Sequence, residues 1–226
     1  VLGVYDFLEK LNDRYPKLLV EGCSGGGGRF DAGMMYYTPQ IWCSDNTDAM
    51  DRLRIQYGTS FFYPMSTVAA HVSAVPNHQT GRNMSLRTRG IVAMTGAFGY
   101  ELSLDKLSEE EKKEVTEQIE QYRTYEKLIR EGDYYRLSSP FTDACTAWMH
   151  VSGDKKQVLL HAVMNEIHGN MTVNYVKLRG LAPDAVYRDV QNGREYCGCA
   201  LMEAGIPLPV EAGEYIGYRF VFKRVN

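Results

Sequence analysis

Apolar residues recur at helical spacing near the start of the chain, at Val1, Val4, Tyr5, Leu8 and Leu11. This period predicts an amphipathic helix over residues 1–14 that ends near Pro16. Because the chain begins inside a helical pattern and not with Met, we expect it to be part of a longer protein.

A second, longer helix is predicted to begin at Ser108, whose side chain can cap it together with Glu111 three residues later. Its apolar stripe consists of Val115, Ile119, Tyr122, Tyr125 and Ile129. Gly132 is a natural end point for this helix.

Four short apolar runs lie between these two helices: "KLLVEGC", "PQIWCSD", "SFFYPMSTVAAHVS" and "GIVAMTGAFGYEL". Short buried strands within these runs, with polar or glycine-rich loops at their C-terminal ends, are typical of a parallel α/β arrangement. A helix is predicted at "DAMDRLRIQYG", between the second and third runs. In a (β/α)₈ barrel the chemistry lies at the C-terminal ends of the strands. The glycines and the "CSDNTD" segment both fall at such ends.

The pattern changes from about residue 140, where β-type segments follow one another: "TAWMHVS", "QVLLHAVMNEI", "MTVNYVKLRGL", "AVYRDV", "EYCGCALME" and "EYIGYRFVFKRV". Asn192-Gly193 between two of them favours a hairpin. We therefore predict an α/β unit at residues 1–137 and an antiparallel β-sandwich at residues 138–226.

Composition narrows the function classes. The 226 residues carry a net charge of −3, and no basic, aromatic-interleaved stretch indicates a nucleic-acid surface. No apolar run is long enough to span a membrane, and no signal peptide is visible. The five cysteines are odd in number and irregular in spacing, which favours a reducing, cytoplasmic setting over a disulfide framework.

Four consecutive glycines, Gly25–Gly28, follow the first apolar run in "VEGCSGGGGRFD". A phosphate-binding loop needs Gly-Lys-Ser/Thr at this point, whereas Arg29 and Phe30 follow here. A flexible linker rarely comes directly after a buried strand. The remaining interpretation is a wall that a flat, hydroxyl-rich ligand approaches closely, since glycine has no Cβ.

Asp45 and Asp48 lie three residues apart after the second run. A carboxylic acid at an apolar-rimmed strand end, near Trp42, can serve as a proton donor. Asp48 is placed to cap the next helix. Taken alone, the pair favours a structural role, as caps or as ion partners of Arg29 or Arg52.

The other candidates carry less weight. His71 and His78 have no nearby ligand to complete a metal set, so we predict no metal and no cofactor. Cys197 and Cys199 are expected on one side of a strand, as small buried residues. His161 is expected to be packed and hydrogen-bonded.

At this point the residues indicate a family. The stretch "EGCSGGGGRFDAGMMYYTPQIWCSDNTDAMDRLRIQYGTSFFYP" resembles the α-galactosidases of glycoside hydrolase family 36. The similarity continues through "HVSAVPNHQTGR", "TRGIVAMTGAFGYEL" and "EGDYYRL" to "PDAVYRDVQNGREY" near the C-terminus. The resemblance implies strands five to eight of a (β/α)₈ barrel, followed by a C-terminal β domain.

The resemblance also implies roles for individual residues. Asp45, first aspartate of the Ser-Asp-x-x-Asp motif, corresponds to the general acid/base of a retaining mechanism on α-linked galactose. Cys23, Ser24, Gly25 and Gly26 correspond to the loop that lines the galactose pocket. Arg29 is expected to orient a carboxylate nearby.

One element of the family pattern is missing from this sequence. The family carries its nucleophile in a Lys-Trp-Asp motif, and neither tryptophan here follows a lysine. The resemblance therefore implies that this chain holds the acid/base without the nucleophile and is inactive alone. It also implies galactoside oligosaccharides of the melibiose and raffinose type as substrates, and a homotetramer. A non-catalytic sugar-binding or assembly fragment and a galactosyl-transferring relative remain open alternatives.

Overall fold

The chain forms two main sheets in the computed structural model, which describes residues 1–170 and 172–225. The first sheet has four parallel strands in sequential order. They are β1 (Glu21–Gly22), β2 (Gln40–Trp42), β3 (Val68–Ser73) and β4 (Ala97–Glu101). Parallel pairing of strands in chain order, with helices between them, is the arrangement of part of a (β/α) barrel.

Helices cover one face of this sheet. They are α1 (Leu2–Arg14), α3 (Ala32–Tyr37), α4 (Ala49–Thr59), α5 (Leu86–Ala93) and α6 (Glu109–Glu131), with 3₁₀ turns at Met65–Thr67 and Leu104–Lys106. A left-handed turn, α2 (Ser24–Gly27), follows β1. Ile41 of β2 packs on α1 and α3, and Val72 of β3 packs on α5 and α6. Since side chains alternate along a strand, Trp42 and His71 lie on the opposite face.

Two of the predicted strands differ from the structure. The segment "GIVAM" belongs to α5, because Ser85 caps a helix there by accepting a hydrogen bond from the Thr88 amide. Only Ala97–Glu101 of that run is a strand. The first run forms just the two residues of β1, and Leu19 before it is 86% exposed instead of buried. β1 is an edge strand that pairs with β2 alone in the part of the chain that is described.

The long helix α6 begins and ends as predicted. The Glu111 amide donates to the Ser108 side chain, and the Glu111 carboxylate accepts from the Ser108 amide, which completes a capping box. Gly132 follows the last helical residue. None of the described helices is long and apolar enough to cross a membrane.

The second sheet is antiparallel and has six strands in the order β10-β9-β12-β7-β6-β5. They are β5 (Asp133–Arg136), β6 (Cys145–Val151), β7 (Gln157–Met164), β9 (Val186–Asp189), β10 (Glu195–Cys197) and β12 (Gly217–Arg224). The predicted hairpin at Asn192-Gly193 joins β9 to β10. Strand β5, which precedes the predicted boundary at residues 137/138, pairs with β6 of this sheet.

The predicted β-sandwich has two layers of very different size, because the layer that packs over this sheet is small. It consists of a two-stranded sheet, β8 (Tyr175–Val176) with β11 (Ile206–Pro207), and the short helix α7 (Gly198–Glu203). The β-type segment predicted at "MTVNYVKLRGL" contains β8. Its first residue, Met171, lies outside the described residues. The strand predicted at "EYCGCALME" ends at Cys197, where α7 takes over.

The other face of the six-stranded sheet packs on the helices of the parallel sheet. Leu159 and Val221 contact Leu128 and Ile129 of α6. Trp148 and Val163 belong to a second cluster with residues of α4 and α5. The antiparallel sheet thus packs on the helices that cover the parallel sheet.

Candidate active site

The glycine-rich segment forms a tight turn at the C-terminal end of β1. Four successive residues, Ser24 to Gly27, have positive φ angles of 61°, 67°, 75° and 89°. Glycine adopts this region without steric cost, whereas other residues pay roughly 1–2 kcal/mol. The backbone amides of Gly27 and Gly28 close the turn on the carbonyls of Cys23 and Ser24.

This turn lies directly against the end of β2. A Cβ on Gly26 would come 2.7 Å from the backbone nitrogen of Asp45 and 3.2 Å from its carboxyl carbon. A Cβ on Gly27 would come 2.7 Å from the carbonyl oxygen of Cys43. At Gly25, by contrast, a Cβ would meet nothing within 4 Å. Two of the glycines therefore allow contact with Asp45 and its neighbours, and Gly25 borders open space.

Asp45 is exposed at the end of β2, as the sequence predicted. Its backbone carbonyl accepts a 3.4 Å hydrogen bond from the Gln79 side chain. Within the described ranges, its carboxylate has neither a hydrogen-bond donor nor an ion partner. The carboxylate is thus accessible to a molecule bound at the end of β2.

Asp48 has the structural role. It is buried and caps α4, accepting hydrogen bonds from the amides of Met50 at 2.9 Å and Asp51 at 3.1 Å. Its other contacts are an ion pair with Arg82 and a 2.6 Å hydrogen bond from the Thr80 hydroxyl. The two aspartates therefore have opposite environments. The Asp48 carboxylate is hydrogen-bonded and ion-paired, whereas the Asp45 carboxylate has no partner among the described residues.

The loop that follows β3 forms hydrogen bonds with the loop that follows β2, which carries Asp45 and Asp48. Asn77 donates to the Thr47 hydroxyl at 3.0 Å, and its own side-chain oxygen accepts from the amides of Gln79 and Thr80. Asn46 braces the same loop by donating to Asp51 at 2.8 Å. These contacts join the strand ends of β2 and β3, and no motif in the sequence revealed them.

Arg52 is a further residue whose position the sequence left open. It does not pair with an aspartate; its guanidinium donates to the carbonyls of Ser44 at 3.0 Å and Ala69 at 2.8 Å. It also lies 4.4 Å from the Trp42 ring, and burial lowers its pKa. Arg52 thus connects the ends of β2 and β3 and fixes the Trp42 ring.

Trp42 and His71 stack on the helix-free face of the parallel sheet, with ring centroids 4.5 Å apart. His71 Nδ1 lies 3.6 Å from a Glu101 carboxylate oxygen. Gly99 stands opposite His71 on β4, where a Cβ would come 3.1 Å from the imidazole. Trp42 is the last residue of β2, three residues before Asp45, and its closeness in sequence was the only indication of this stack that the sequence offered.

The remaining predicted site residues lie on the surface of the same turn. Cys23, Ser24 and Arg29 are exposed, and Arg29 forms no ion pair with any residue that the structure describes. The largest cavity described, about 620 Å³, lies between α5, α6 and β12 and includes none of them. No group of three or more metal-ligating side chains was found among the described residues.

Two family models match this sequence. The model described as Melibiase matches residues 1–132, and that described as Glycosyl hydrolase family 36 C-terminal domain matches residues 145–222. They divide the chain close to the boundary between the parallel and antiparallel sheets.

Known proteins resemble the chain over its whole length. The bifunctional α-galactosidase/sucrose kinase AgaSK of Mediterraneibacter gnavus is 63% identical over 226 residues, which are 100% of this chain and 24% of AgaSK. The solved galactosidase domain of AgaSK superposes with a TM-score of 0.98 at 62% identity, over 100% of this chain and 31% of that one.

A solved structure of the α-galactosidase AgaA from Geobacillus stearothermophilus, a variant in complex with raffinose, has a TM-score of 0.96. It is 46% identical, and the match covers 99% of this chain and 31% of that one. The chain thus spans about a quarter to a third of the length of the relatives it matches.

Proposed function

The chain belongs to the melibiase family, glycosyl hydrolase family 36, and on this basis we propose that it forms the acid/base side of a retaining α-galactosidase active site. The single observation that carries the proposal is the exposed Asp45 carboxylate, unpartnered within the described residues and in contact with the Gly26 backbone. A general acid must reach its substrate without first breaking an ion pair.

Asp45 performs two proton transfers in this proposal. It protonates the glycosidic oxygen as the bond to the anomeric carbon breaks, and then removes a proton from the water that releases galactose. The nucleophile, a second carboxylate about 5 to 5.5 Å away, comes from outside this chain. The segment that carries it pairs with the free edge of β1, next to the glycine turn.

The galactose ring lies over the glycine turn. Cys23, Ser24, Gly25 and Gly26 form the wall of the pocket, because the open space beside Gly25 allows a sugar ring to approach the backbone. Arg29 is exposed and has no ion partner in the described parts of the chain, and it orients the carboxylate of the nucleophile. The Trp42–His71 stack provides an apolar floor for the site.

The substrates are oligosaccharides with a terminal α-linked galactose. The raffinose complex of AgaA supports this class, since that chain is 46% identical to this one. We further propose that the intact protein is a homotetramer. We also propose a reducing, cytoplasmic setting, and the five free cysteines support this setting.

The acid role is tested with Asp45→Ala in the intact parent protein. Galactosides with a poor leaving group need protonation and should lose about 10²–10⁴-fold in kcat/KM, whereas aryl galactosides with an activated leaving group should lose far less. Azide needs no base, so it should restore turnover of the activated substrate and yield α-galactosyl azide, the product of a retaining route. Asp105→Asn, an exposed aspartate of the 3₁₀ turn, is the matched control.

Equal losses on both kinds of leaving group, without azide rescue, would show that Asp45 is structural. A parent protein that binds galactosides but turns none over would favour the non-catalytic alternative. Transfer of galactose to a sugar acceptor in preference to water would favour the galactosyl-transferring relative.

A further inference from the structure

The thiols of Cys197 and Cys199 lie together at the junction of β10 and α7. Their Sγ atoms are 2.7 Å apart, and both cysteines are free. The sequence suggested two small buried residues on one strand, but Cys199 is exposed and Cys197 half-buried. The strand ends between them, and the turn into α7 brings the two sulfurs together.

The backbone that carries the two thiols is held in place. The Gly198 amide donates to Ala185 at 2.8 Å and the Cys199 amide donates to Pro183 at 2.9 Å. A Cβ on Gly198 would collide with the carbonyl oxygen of Ala182, so only glycine fits between the cysteines. Leu201, fully buried in the core of the sheet domain, anchors the following turn of α7.

We propose that Cys197 and Cys199 form a thiol–disulfide exchange site that accepts small aliphatic disulfides from solution. The sulfurs already touch, are accessible to solvent and are held by a fixed backbone. Closing the pair requires the two sulfurs to approach from 2.7 Å to the length of an S–S bond, about 2.05 Å.

The exchange proceeds in two balanced steps. The Cys197 thiolate attacks one sulfur of the small disulfide, whose S–S bond breaks, and one thiolate leaves. The Cys199 thiolate then attacks the Cys197 sulfur and expels the second small thiolate. The protein dithiol loses two protons and two electrons, and the small disulfide becomes two thiols.

Cys197 is the attacking thiol because of its neighbour. The hydrogen bond between the two thiols lowers the pKa of Cys197 and raises the pKa of Cys199. The Asp184 carboxylate opposes this to a smaller extent. Burial raises the pKa of the half-buried Cys145 thiol to about 12, so this thiol should not react and serves as an internal reference.

The test uses the intact protein in glutathione buffers from fully reduced to fully oxidised, followed by alkylation, proteolysis and mass spectrometry. In oxidised buffer, the peptide with both cysteines should resist alkylation, lack bound glutathione and regain two alkylatable thiols on reduction. Cys145 should remain a thiol throughout.

Single variants identify the attacking sulfur. Cys199→Ser keeps a hydroxyl that can donate to Cys197 and should form the glutathione mixed disulfide at least about threefold faster than Cys197→Ser does at Cys199. Equal or reversed rates would overturn the order of attack. Two alkylatable thiols in fully oxidised buffer, or glutathione retained on the wild-type pair, would overturn the proposal, and both readouts need only the wild-type protein.

Discussion

The backbone of Gly26 lies directly against Asp45. An ideal Cβ at Gly26 would come 2.7 Å from the Asp45 nitrogen and 3.2 Å from its carboxyl carbon. The glycine turn after β1 and the acidic loop after β2 are therefore packed directly against each other.

Gly26→Ala should displace the Asp45 carboxylate and lower kcat of the parent protein by about tenfold or more, since sub-ångström misplacement of a catalytic group is costly. A loss of stability of more than about 1–2 kcal/mol should accompany it, because φ at Gly26 is 75° and the new Cβ would come 2.7 Å from a backbone atom of Asp45. Steady-state kinetics and thermal unfolding measure the two effects separately.

Gly193→Ala is the control for backbone strain alone. Gly193 has nearly the same φ, 74°, in the β9–β10 hairpin, and a Cβ there would meet nothing within 4 Å. It should lose only the part of the stability that comes from backbone strain, about 1–2 kcal/mol, and keep full kcat. If both variants lose kcat equally, the contact between Gly26 and Asp45 has no role in positioning the carboxylate.

The second prediction concerns the ion pair beneath the acidic loop. The Asp48 side chain is 1% exposed and that of Arg82 is 28% exposed. Arg82→Met should lower the free energy of unfolding by about 2 kcal/mol, because it leaves a buried carboxylate without its cation. It should also lower kcat, since the loop that carries Asp45 loses one of its anchors.

Arg87→Met is the matched comparison. Arg87 pairs with Glu211 at 3.2 Å, but both side chains are well exposed, at 48% and 39%. Its loss should cost about 0–1 kcal/mol. Similar costs for both variants would mean that the Asp48–Arg82 pair contributes no more than a surface ion pair.

The sequence was informative where one local interaction decides the structure. The capping box of Ser108 and Glu111, the cap at Asp48 and the Asn192-Gly193 hairpin depend on neighbours a few residues away. Each formed as predicted, and the class of each sheet followed from the spacing of apolar residues.

The failures have tertiary causes. "GIVAM" is apolar enough for a strand, but it is surrounded on all sides by helices and the second sheet, and Ser85 caps it as a helix. Arg52 bridges two strand ends and Arg82 reaches across 34 residues to Asp48. Contacts over such separations leave no period or motif in a single sequence, so the bracing of the candidate site was visible only in three dimensions.

The third prediction is a pH dependence of stability. His150 is completely buried, and neither of its ring nitrogens has a hydrogen-bond partner in the described structure. Burial lowers its pKa from 6.5 to about 4. Nearby His161 is also buried and unpartnered instead of hydrogen-bonded as predicted, and burial together with Arg219 lowers its pKa. Tyr134 packs over the His150 ring at 5.2 Å.

Between pH 6.5 and about 4 the unfolded chain binds a proton at His150 that the folded chain does not. Stability is therefore complete above pH 6.5 and falls as the pH drops through this window, by about 3 kcal/mol from His150 alone. His150→Leu should flatten this slope in denaturant titrations. His78→Asn, at an exposed histidine, should leave it unchanged, and an unaltered slope in His150→Leu would refute the assignment.

The final prediction concerns the free edge of the parallel sheet. Leu19, 86% exposed, precedes the edge strand β1, and Phe7 of α1 is 61% exposed. An apolar strand edge invites pairing with another chain. The 226-residue chain expressed alone should therefore self-associate, and light scattering should show a mass that rises with protein concentration. Leu19→Glu should shift association to several-fold higher concentration, because a charge beside β1 opposes edge-to-edge pairing. Val210→Glu, at an exposed apolar residue in the sheet domain, should not. A monodisperse monomer that melts cooperatively would show that this edge needs no partner.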